Sequence, residues 1–172
     1  MPLADDVRRA LRTFPDFPGK GVLFQDVAPV LRDPVLLSRI VEAMAEPFRG
    51  RAQAVAGVES RGFMLGTPVA LRLGVPFVPV RKAGKLPGPT LREDYALEYA
   101  KATVEVQRDA FAPGARVLVV DDVLATGGTA LAAARLVEAA GAQVAGWSFL
   151  LEIGALRGRA KLGPQAHVVA TA

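Results

Sequence analysis

Residues 117–129 read VLVVDDVLATGGT, and this segment constrains the fold of the chain more than any other. Its first four apolar residues are too few for a helix and do not alternate, so they predict a buried strand of a parallel sheet. Two adjacent acids, Asp121 and Asp122, follow at the strand end, where open parallel sheets bind their ligands. A loop of small residues and a run of strong helix formers, residues 131–140, come next. The order is therefore strand, carboxylate pair, loop and helix.

The loop after the two acids has the composition of an anion site. Gly127 and Gly128 allow backbone conformations that bulkier residues resist, and they let successive N–H groups point toward one anion. The helix that follows offers unpaired N–H groups and a positive dipole end to a phosphate. The segment has neither the Gly-Lys-Ser/Thr of a P-loop nor the glycine spacing of a dinucleotide fingerprint. An ordinary strand-to-helix turn, with aspartates that cap and glycines that only bend, is the alternative interpretation.

The rest of the chain alternates predicted strands and helices. We expect strands at residues 22–24, 52–58, 76–80, 116–121, 143–151 and 167–170, hairpin strands within 91–111, and helices at residues 3–14, 33–44, 63–73, 131–140 and within 153–162. Alternation of this kind indicates right-handed βαβ units, so we predict an α/β fold with a mostly parallel twisted sheet flanked by helices. The length of 172 residues favours a single domain, residues 1–172.

Composition argues against several classes of protein. With 51% hydrophobic residues the chain can bury a sizeable core, and no apolar run approaches the ~20 residues of a membrane span. The amphipathic N-terminus carries acids, unlike a signal peptide, and the absence of cysteine favours the cytoplasm. The net charge of +4 is dispersed along the chain, so we expect neither a nucleic-acid nor a membrane partner.

The chain contains no asparagine and no cysteine, and arginine greatly outnumbers lysine. Because thermolabile residues are rare in heat-adapted proteins, we hypothesise a thermophilic source. A GC-rich genome explains the same bias, and a melting midpoint in the ordinary mesophilic range would contradict the hypothesis.

The complete segment 117–129 resembles the phosphoribosyl pyrophosphate (PRPP) signature of the type I phosphoribosyltransferases. The resemblance implies the fold of that family, with a small hood and a flexible lid over the core, formed by the N-terminal part and residues 81–105. It implies that Asp121 and Asp122 bind the ribose hydroxyls of PRPP. It also implies that the 5′-phosphate is bound by Ala125, Thr126, Gly127, Gly128 and Thr129.

Residues 58–62 (VESRG) form a second predicted strand end followed by a helix. Taken alone, they favour an ordinary helix start with solvated Glu59 and Arg61. The same family places a pyrophosphate-binding loop here, which implies that Ser60 and Arg61 contact pyrophosphate and that Arg61 serves catalysis. Arginine suits this task because its planar donors match phosphate oxygens better than lysine does. The resemblance also predicts a cis, non-proline peptide at Glu59-Ser60.

Residues 82–90, here named the lid loop, lie within the segment VRKAGKLPGPT. They predict either a basic, solvated surface loop or a movable cover that excludes water from a site. The segment closely resembles the flexible loop of the adenine-specific members of the family, as do residues 97–101 (LEYAK). The resemblance implies that Glu98 is a catalytic residue that moves the purine proton. It implies pyrophosphate contacts for Arg81, Lys82, Lys85 and Tyr99.

Residues 14–26 (FPDFPGKGVLFQD) are a third match. Aromatic residues near a proline-rich loop more often pack in a core than bind a ligand, and that interpretation stays open. The resemblance implies that Phe24 stacks on adenine with Val123 on the other face, while backbone groups of Leu23 and Gln25 contact the base edge. Gln25 stands where related sequences often have arginine. If the Gln25 side chain contacts the base, the preference of the site for adenine over other bases stays open.

The resemblance covers residues 14–158 and implies a purine-salvage reaction in which adenine and PRPP give AMP and pyrophosphate. It also implies Mg²⁺, carried mainly by PRPP rather than by protein ligands, and a homodimer. One alternative is a transferase for another base: guanine, hypoxanthine, xanthine or orotate. The other is a non-catalytic, PRPP-binding regulator. We expect His167 to be structural and residues 154–159 to lie at the surface, where they could touch a second subunit.

Overall fold

A computed structural model describes residues 2–96 and 101–172 of the chain. In chain order its elements are α1 (Leu3–Ala10), β1 (Arg12–Pro15), β2 (Leu23–Asp26), α2 (Ala28–Leu31), α3 (Pro34–Ala45), β3 (Ala54–Val58), α4 (Arg61–Leu73), β4 (Phe77–Lys82), β5 (Thr90–Ala96), β6 (Lys101–Gln107), β7 (Arg116–Leu124), α5 (Gly128–Ala139), β8 (Gln143–Glu152), α6 (Arg159–Leu162) and β9 (Ala166–Thr171). Short 3₁₀ helices lie at Glu46–Phe48 and Gly154–Leu156.

The main sheet has seven strands within the described residues, in the order β5-β6-β4-β3-β7-β8-β9. Five neighbouring strands of the sheet are parallel, namely β4, β3, β7, β8 and β9. Strands β5 and β6 form an antiparallel hairpin that pairs with β4 at one edge. The mostly parallel sheet and the hairpin within residues 91–111 are therefore confirmed. Consecutive parallel strands need crossover connections, and the helices between them supply these.

Helices cover both faces of the sheet, which explains the unbroken apolar runs of its central strands. In β7, Leu118 and Val120 belong to the core cluster with α1, α3 and α4, whereas Val117 and Val119 belong to the cluster with α5. Helix α3 starts as predicted, because the Asp33 side chain accepts hydrogen bonds from two backbone N–H groups in its first turn. No helix within residues 2–96 and 101–172 is long and apolar enough to span a membrane.

The prediction of one helix over residues 3–14 is wrong. Helix α1 ends at Ala10, and Leu11 takes an extended conformation. The next residues form β1, which pairs antiparallel with β2 so that Phe14 faces Phe24. We name β1, β2 and the loop between them the hood hairpin. An Arg12–Asp26 ion pair joins its strands, and the pairing of β1 with β2 replaces the last helical turn that the apolar periodicity predicted.

Strand β7 carries the two acids within it rather than beyond its end. Its ladder with β3 stops at Val120, but its ladder with β8 continues to Leu124. The predicted end at Asp121 is therefore too early. Because β3 has already ended, Asp121 and Asp122 lack a strand partner on that side, and the start of α4 approaches them there.

Candidate active site

The paired acids lie beside the first residue of α4. Arg61 Nε is 2.7 Å from Asp122 Oδ2, and the Asp122 side chain is buried. The contact lacks hydrogen-bond alignment, so within the described residues this oxygen has a charge partner but no hydrogen bond. Buried polar atoms are nearly always hydrogen-bonded in folded proteins. The Asp122 carboxylate is thus placed to accept a hydrogen bond from a ligand hydroxyl.

The two carboxyl groups perturb one another. Burial raises the pKa of Asp121 well above its usual value, and repulsion from Asp122 raises it further. Burial also raises the pKa of Asp122, while the positive charge of Arg61 opposes that rise. Perturbed carboxyl pairs of this kind occur most often at functional sites.

The predicted phosphate loop forms a small pocket at the start of α5. Gly127 has φ +82°, a left-handed conformation that favours glycine, and it directly precedes the helix. The pocket has a volume of about 100 Å³ and is lined by Asp121, Val123, Leu124, Ala125, Thr126, Gly127, Gly128, Thr129, Ala130 and Phe149. Every residue predicted to bind the 5′-phosphate therefore lines one pocket together with one of the paired acids.

Gly158 supports this pocket from behind, a role that the sequence did not indicate. It is buried, and a Cβ atom at this position would lie 2.2 Å from the Ala125 carbonyl oxygen. An ion pair of 2.5 Å between Arg159 and Glu152 lies next to it. The expectation that residues 154–159 lie at the surface is therefore wrong for Gly158.

We expect Gly158→Ala to raise the KM for PRPP by about 5- to 100-fold, since overpacking costs roughly 1–3 kcal/mol and here it displaces the phosphate loop. Gly154→Ala is the matched control, because its Cβ meets only a methyl group of exposed Thr171, at 3.1 Å. Initial-rate measurements on both variants check this. Equal KM values for the two would contradict a supporting role for Gly158.

The segment between β3 and α4 contains the predicted cis peptide, since the Glu59–Ser60 bond is cis. The Glu59 carboxylate accepts hydrogen bonds from the Lys82 N–H (2.9 Å) and from Arg81 Nε (3.2 Å). The Lys82 amide hydrogen bond, with help from Arg81, holds the pKa of Glu59 below its usual value. The Glu59 carboxylate thus links this loop to the end of β4 by hydrogen bonds. It is not the solvated side chain that these residues, taken alone, predicted.

Arg81 and the start of the lid loop contact this segment through Glu59. Arg81 is half-buried and also donates to the Lys85 carbonyl oxygen at 3.1 Å. The side chains of Lys82 and Lys85 are exposed. The structure therefore brings Arg81 and the lid loop to the Glu59–Ser60 turn, which matches their predicted common role.

The hood hairpin contributes Phe24 to the same site. The Arg61 guanidinium lies 5.6 Å from the centre of the Phe24 ring, and Phe17 packs edge-on against that ring at 5.0 Å. The Gln25 side-chain oxygen accepts a hydrogen bond from the Thr13 hydroxyl across the hairpin. Arg61 therefore links the acids to the predicted base-stacking residue, and Gln25 is engaged within the hairpin, beside exposed Leu23.

Glu98 and Tyr99 lie outside the described residues, so their predicted roles stay predictions. In the described part of the chain, no group of three or more His, Cys, Asp or Glu side chains could hold a metal ion by itself. Mg²⁺ that arrives on PRPP, with substrate phosphates and waters as its ligands, therefore stays a prediction. Sequence reasoning also missed Glu105, a fully buried carboxylate of β6.

Comparisons with known proteins agree with this arrangement. A model of the phosphoribosyl transferase domain family matches residues 35–167. The chain is 55% identical over 157 residues to the adenine phosphoribosyltransferase of Thermobifida fusca, covering 91% of this chain and 89% of that relative. The adenine phosphoribosyltransferase structure from Rhodothermus marinus is similar at 49% identity and a TM-score of 0.92, covering 99% of this chain and 98% of that one.

A third relative, the Saccharomyces cerevisiae adenine phosphoribosyltransferase, was solved with adenine and an imino-altritol bisphosphate. It is 41% identical with a TM-score of 0.90, covering 97% of this chain and 98% of that one. These similarities confirm the type I phosphoribosyltransferase fold over almost the whole chain. This chain therefore belongs to the adenine phosphoribosyltransferases, which are enzymes of the phosphoribosyl transferase domain family.

Proposed function

We propose that this chain transfers the 5-phosphoribosyl group from PRPP to adenine, giving AMP and pyrophosphate in purine salvage. The observation that carries the proposal is the pocket at the start of α5, which Asp121 lines. The neighbouring Asp122 adds a buried carboxylate oxygen without a hydrogen bond, beside Arg61. A ribose hydroxyl supplies the missing donor, and a 5′-phosphate suits the pocket. The adenine bound to the yeast relative supports the choice of base.

The bond that breaks joins ribose C1 to a pyrophosphate oxygen, and its electron pair leaves with pyrophosphate. Arg61, Arg81 and Lys85 stabilise the growing negative charge of the leaving group. Mg²⁺ bound with PRPP supplies further positive charge there. For this role Arg61 exchanges its contacts with Asp122 and Phe24 for contacts with pyrophosphate.

Positive charge develops on the ribose ring as the bond breaks. Asp121 and Asp122 hold the ribose hydroxyls and place negative charge near the ring. Phe24 and Val123 hold adenine so that its nitrogen attacks C1, and Glu98 accepts the proton that this nitrogen loses. Since both substrates are held in one geometry, positioning contributes much of the rate increase.

The lid loop excludes water during this reaction, because water at the site would hydrolyse PRPP. Ser60, Lys82 and Tyr99 complete the pyrophosphate contacts. This assignment is supported by the position of the lid loop, which Arg81 links to the Glu59–Ser60 turn.

A product analysis tests the proposal against the alternative of a PRPP-binding regulator. Incubation with PRPP, Mg²⁺ and adenine will release AMP and pyrophosphate in equal amounts, measured by anion-exchange chromatography. PRPP binding without a nucleotide product, joined to salt-dependent DNA binding, would support the regulator instead.

We further propose a cytoplasmic homodimer. The absence of cysteine supports this location. A groove of about 550 Å³ between α3 and α4 exposes Leu71, which is 78% accessible and suited to a subunit contact. Sedimentation equilibrium will give twice the chain mass, and a monomer at assay concentration would exclude the dimer.

A further inference from the structure

Glu105 is the least accessible charged side chain in the described residues, with no exposed surface. It lies on β6, between β4 and β5, and directly opposite an arginine on each: Arg81 on β4 and Arg92 on β5. Directly opposite residues place their side chains on the same face of a sheet. Glu105 therefore lies in a row of charges that leads toward the lid loop.

The Glu105 carboxylate is hydrogen-bonded mainly to the lid loop. Its Oε1 atom accepts from two successive backbone N–H groups, those of Lys85 (2.9 Å) and Leu86 (3.0 Å). Its Oε2 atom accepts from the Thr90 hydroxyl (3.3 Å) and from Arg92 Nε (3.1 Å). Two successive N–H groups that converge on one oxygen form an anion nest, and here the anion is supplied by the protein.

Lys85 is consequently held on both sides of its backbone. Glu105 accepts from its N–H group, while Arg81 donates to its carbonyl oxygen and also binds Glu59. A continuous set of contacts thus runs from Glu105 through the Lys85 backbone and Arg81 to the Glu59–Ser60 turn. The exposed Lys85 side chain thus projects from a residue of the lid loop whose backbone is held on both sides.

We propose that Glu105 is a positioning residue that fixes the lid loop so that Lys85 and Arg81 meet the pyrophosphate group of PRPP. The inference rests on the proposed function, because it assigns pyrophosphate to these two cations. Glu105 does not touch substrate and acts only through the backbone of the lid loop.

The free-energy cost of burying the Glu105 carboxylate indicates that this residue has a specific role in holding the lid loop. A buried carboxylate is costly unless all its hydrogen-bonding positions are satisfied. Burial by itself would raise the pKa of Glu105, but hydrogen bonds from Leu86, Lys85 and Arg92 outweigh it and lower the pKa. The carboxylate is therefore ionised at neutral pH, and its negative charge is available to hold the lid loop.

The test compares Glu105→Gln with Glu93→Gln. Glu93 belongs to the same hairpin and pairs with Arg135 of α5 at 2.8 Å, so its variant is a matched control for losing a charge. We expect Glu105→Gln to raise the KM for PRPP and the Kd for pyrophosphate by about 10- to 100-fold, as a misplaced positioning group does. The KM for adenine and the Kd for AMP will stay within about 2-fold of wild type. Glu93→Gln will match wild type throughout.

Amide hydrogen exchange provides a readout that needs no turnover. In Glu105→Gln the Lys85 and Leu86 amides will exchange at least about 10-fold faster. The Ala83 amide, which bonds to the Thr103 carbonyl, is the internal reference. Should Glu105→Gln fail to fold, Arg92→Gln removes a charged partner from an exposed position, and we expect the same changes at smaller size.

Unchanged exchange at Lys85 and Leu86 and an unchanged KM for PRPP would overturn the proposal. An equal loss of affinity for PRPP, adenine and AMP, together with a lower melting temperature, would also overturn the proposal. That result would show that Glu105 contributes to fold stability alone. Failure of the proposed function is distinguishable: wild-type protein would then form no AMP, whereas the exchange experiment would still report on the lid loop.

Discussion

Replacing both Asp121 and Asp122 with asparagine will weaken PRPP binding by about 10²- to 10⁴-fold. Two hydrogen bonds from ribose hydroxyls to charged carboxylates contribute roughly 1.5–3 kcal/mol each, and both are lost. Titration calorimetry with PRPP and Mg²⁺ measures the change. The exposed Asp109 provides a control, since Asp109→Asn also removes a negative charge, but away from the site.

The single variant Asp121→Asn will be more stable than wild type at neutral pH in the absence of ligand. Burial and Asp122 raise the folded-state pKa of Asp121 above its unfolded value, so the folded protein binds more protons between these two pKa values. Stability therefore falls as pH rises through this window, and asparagine removes that penalty. The gain will shrink as pH falls through about 4, because Asp121 then becomes protonated in the unfolded state as well.

Thermal unfolding of Asp121→Asn and wild type across this pH range provides the measurement. A variant that is both more stable and unable to bind PRPP identifies the acid as functional rather than structural. Unaltered PRPP affinity in the double variant would contradict the ribose assignment. A less stable Asp121→Asn protein at neutral pH would contradict the burial penalty.

Glu98→Ala will lower kcat by about 10²- to 10⁴-fold, the usual contribution of a positioned general base. The proton on the attacking adenine nitrogen then loses its proposed acceptor. The Kd for PRPP will stay near the wild-type value, because we propose that β7 and the loop before α5 bind the ribose and the phosphate. Single-turnover kinetics and calorimetry separate the two effects.

Glu93→Gln again serves as the control, since this glutamate lies on the same hairpin and pairs with α5. It will retain wild-type kcat. A wild-type turnover number in Glu98→Ala would remove Glu98 from catalysis and return that role to another group of the site.

The features that could be predicted from sequence are those in which neighbouring residues act together. The strand, acid pair, glycine loop and helix of residues 116–139 form one continuous segment, so local patterns predict their order correctly, although the strand continues to Leu124. The α/β fold follows similarly from alternation of short apolar runs and helix formers. The helix over residues 3–14 was wrong because pairing with β2 overrides local periodicity.

The features that could not be predicted depend on contacts between distant segments. Glu105 reads as an ordinary strand residue, and only the folded hairpin brings the Lys85 and Leu86 amides to it. Gly158 reads as part of a polar turn, yet it lies against the Ala125 carbonyl more than 30 residues away in sequence. The position of Arg61, between Asp122 and Phe24, likewise requires three separate elements to meet.

The most direct test of the central claim is a parallel steady-state assay with PRPP, Mg²⁺ and each of adenine, guanine, hypoxanthine, xanthine and orotate. We predict a kcat/KM for adenine at least about 10³-fold above that for every other base, because a site that hydrogen-bonds one base edge leaves polar groups unpaired with another. AMP will be the product. Equal or greater activity with guanine or hypoxanthine, or no nucleotide from any base, would contradict the account.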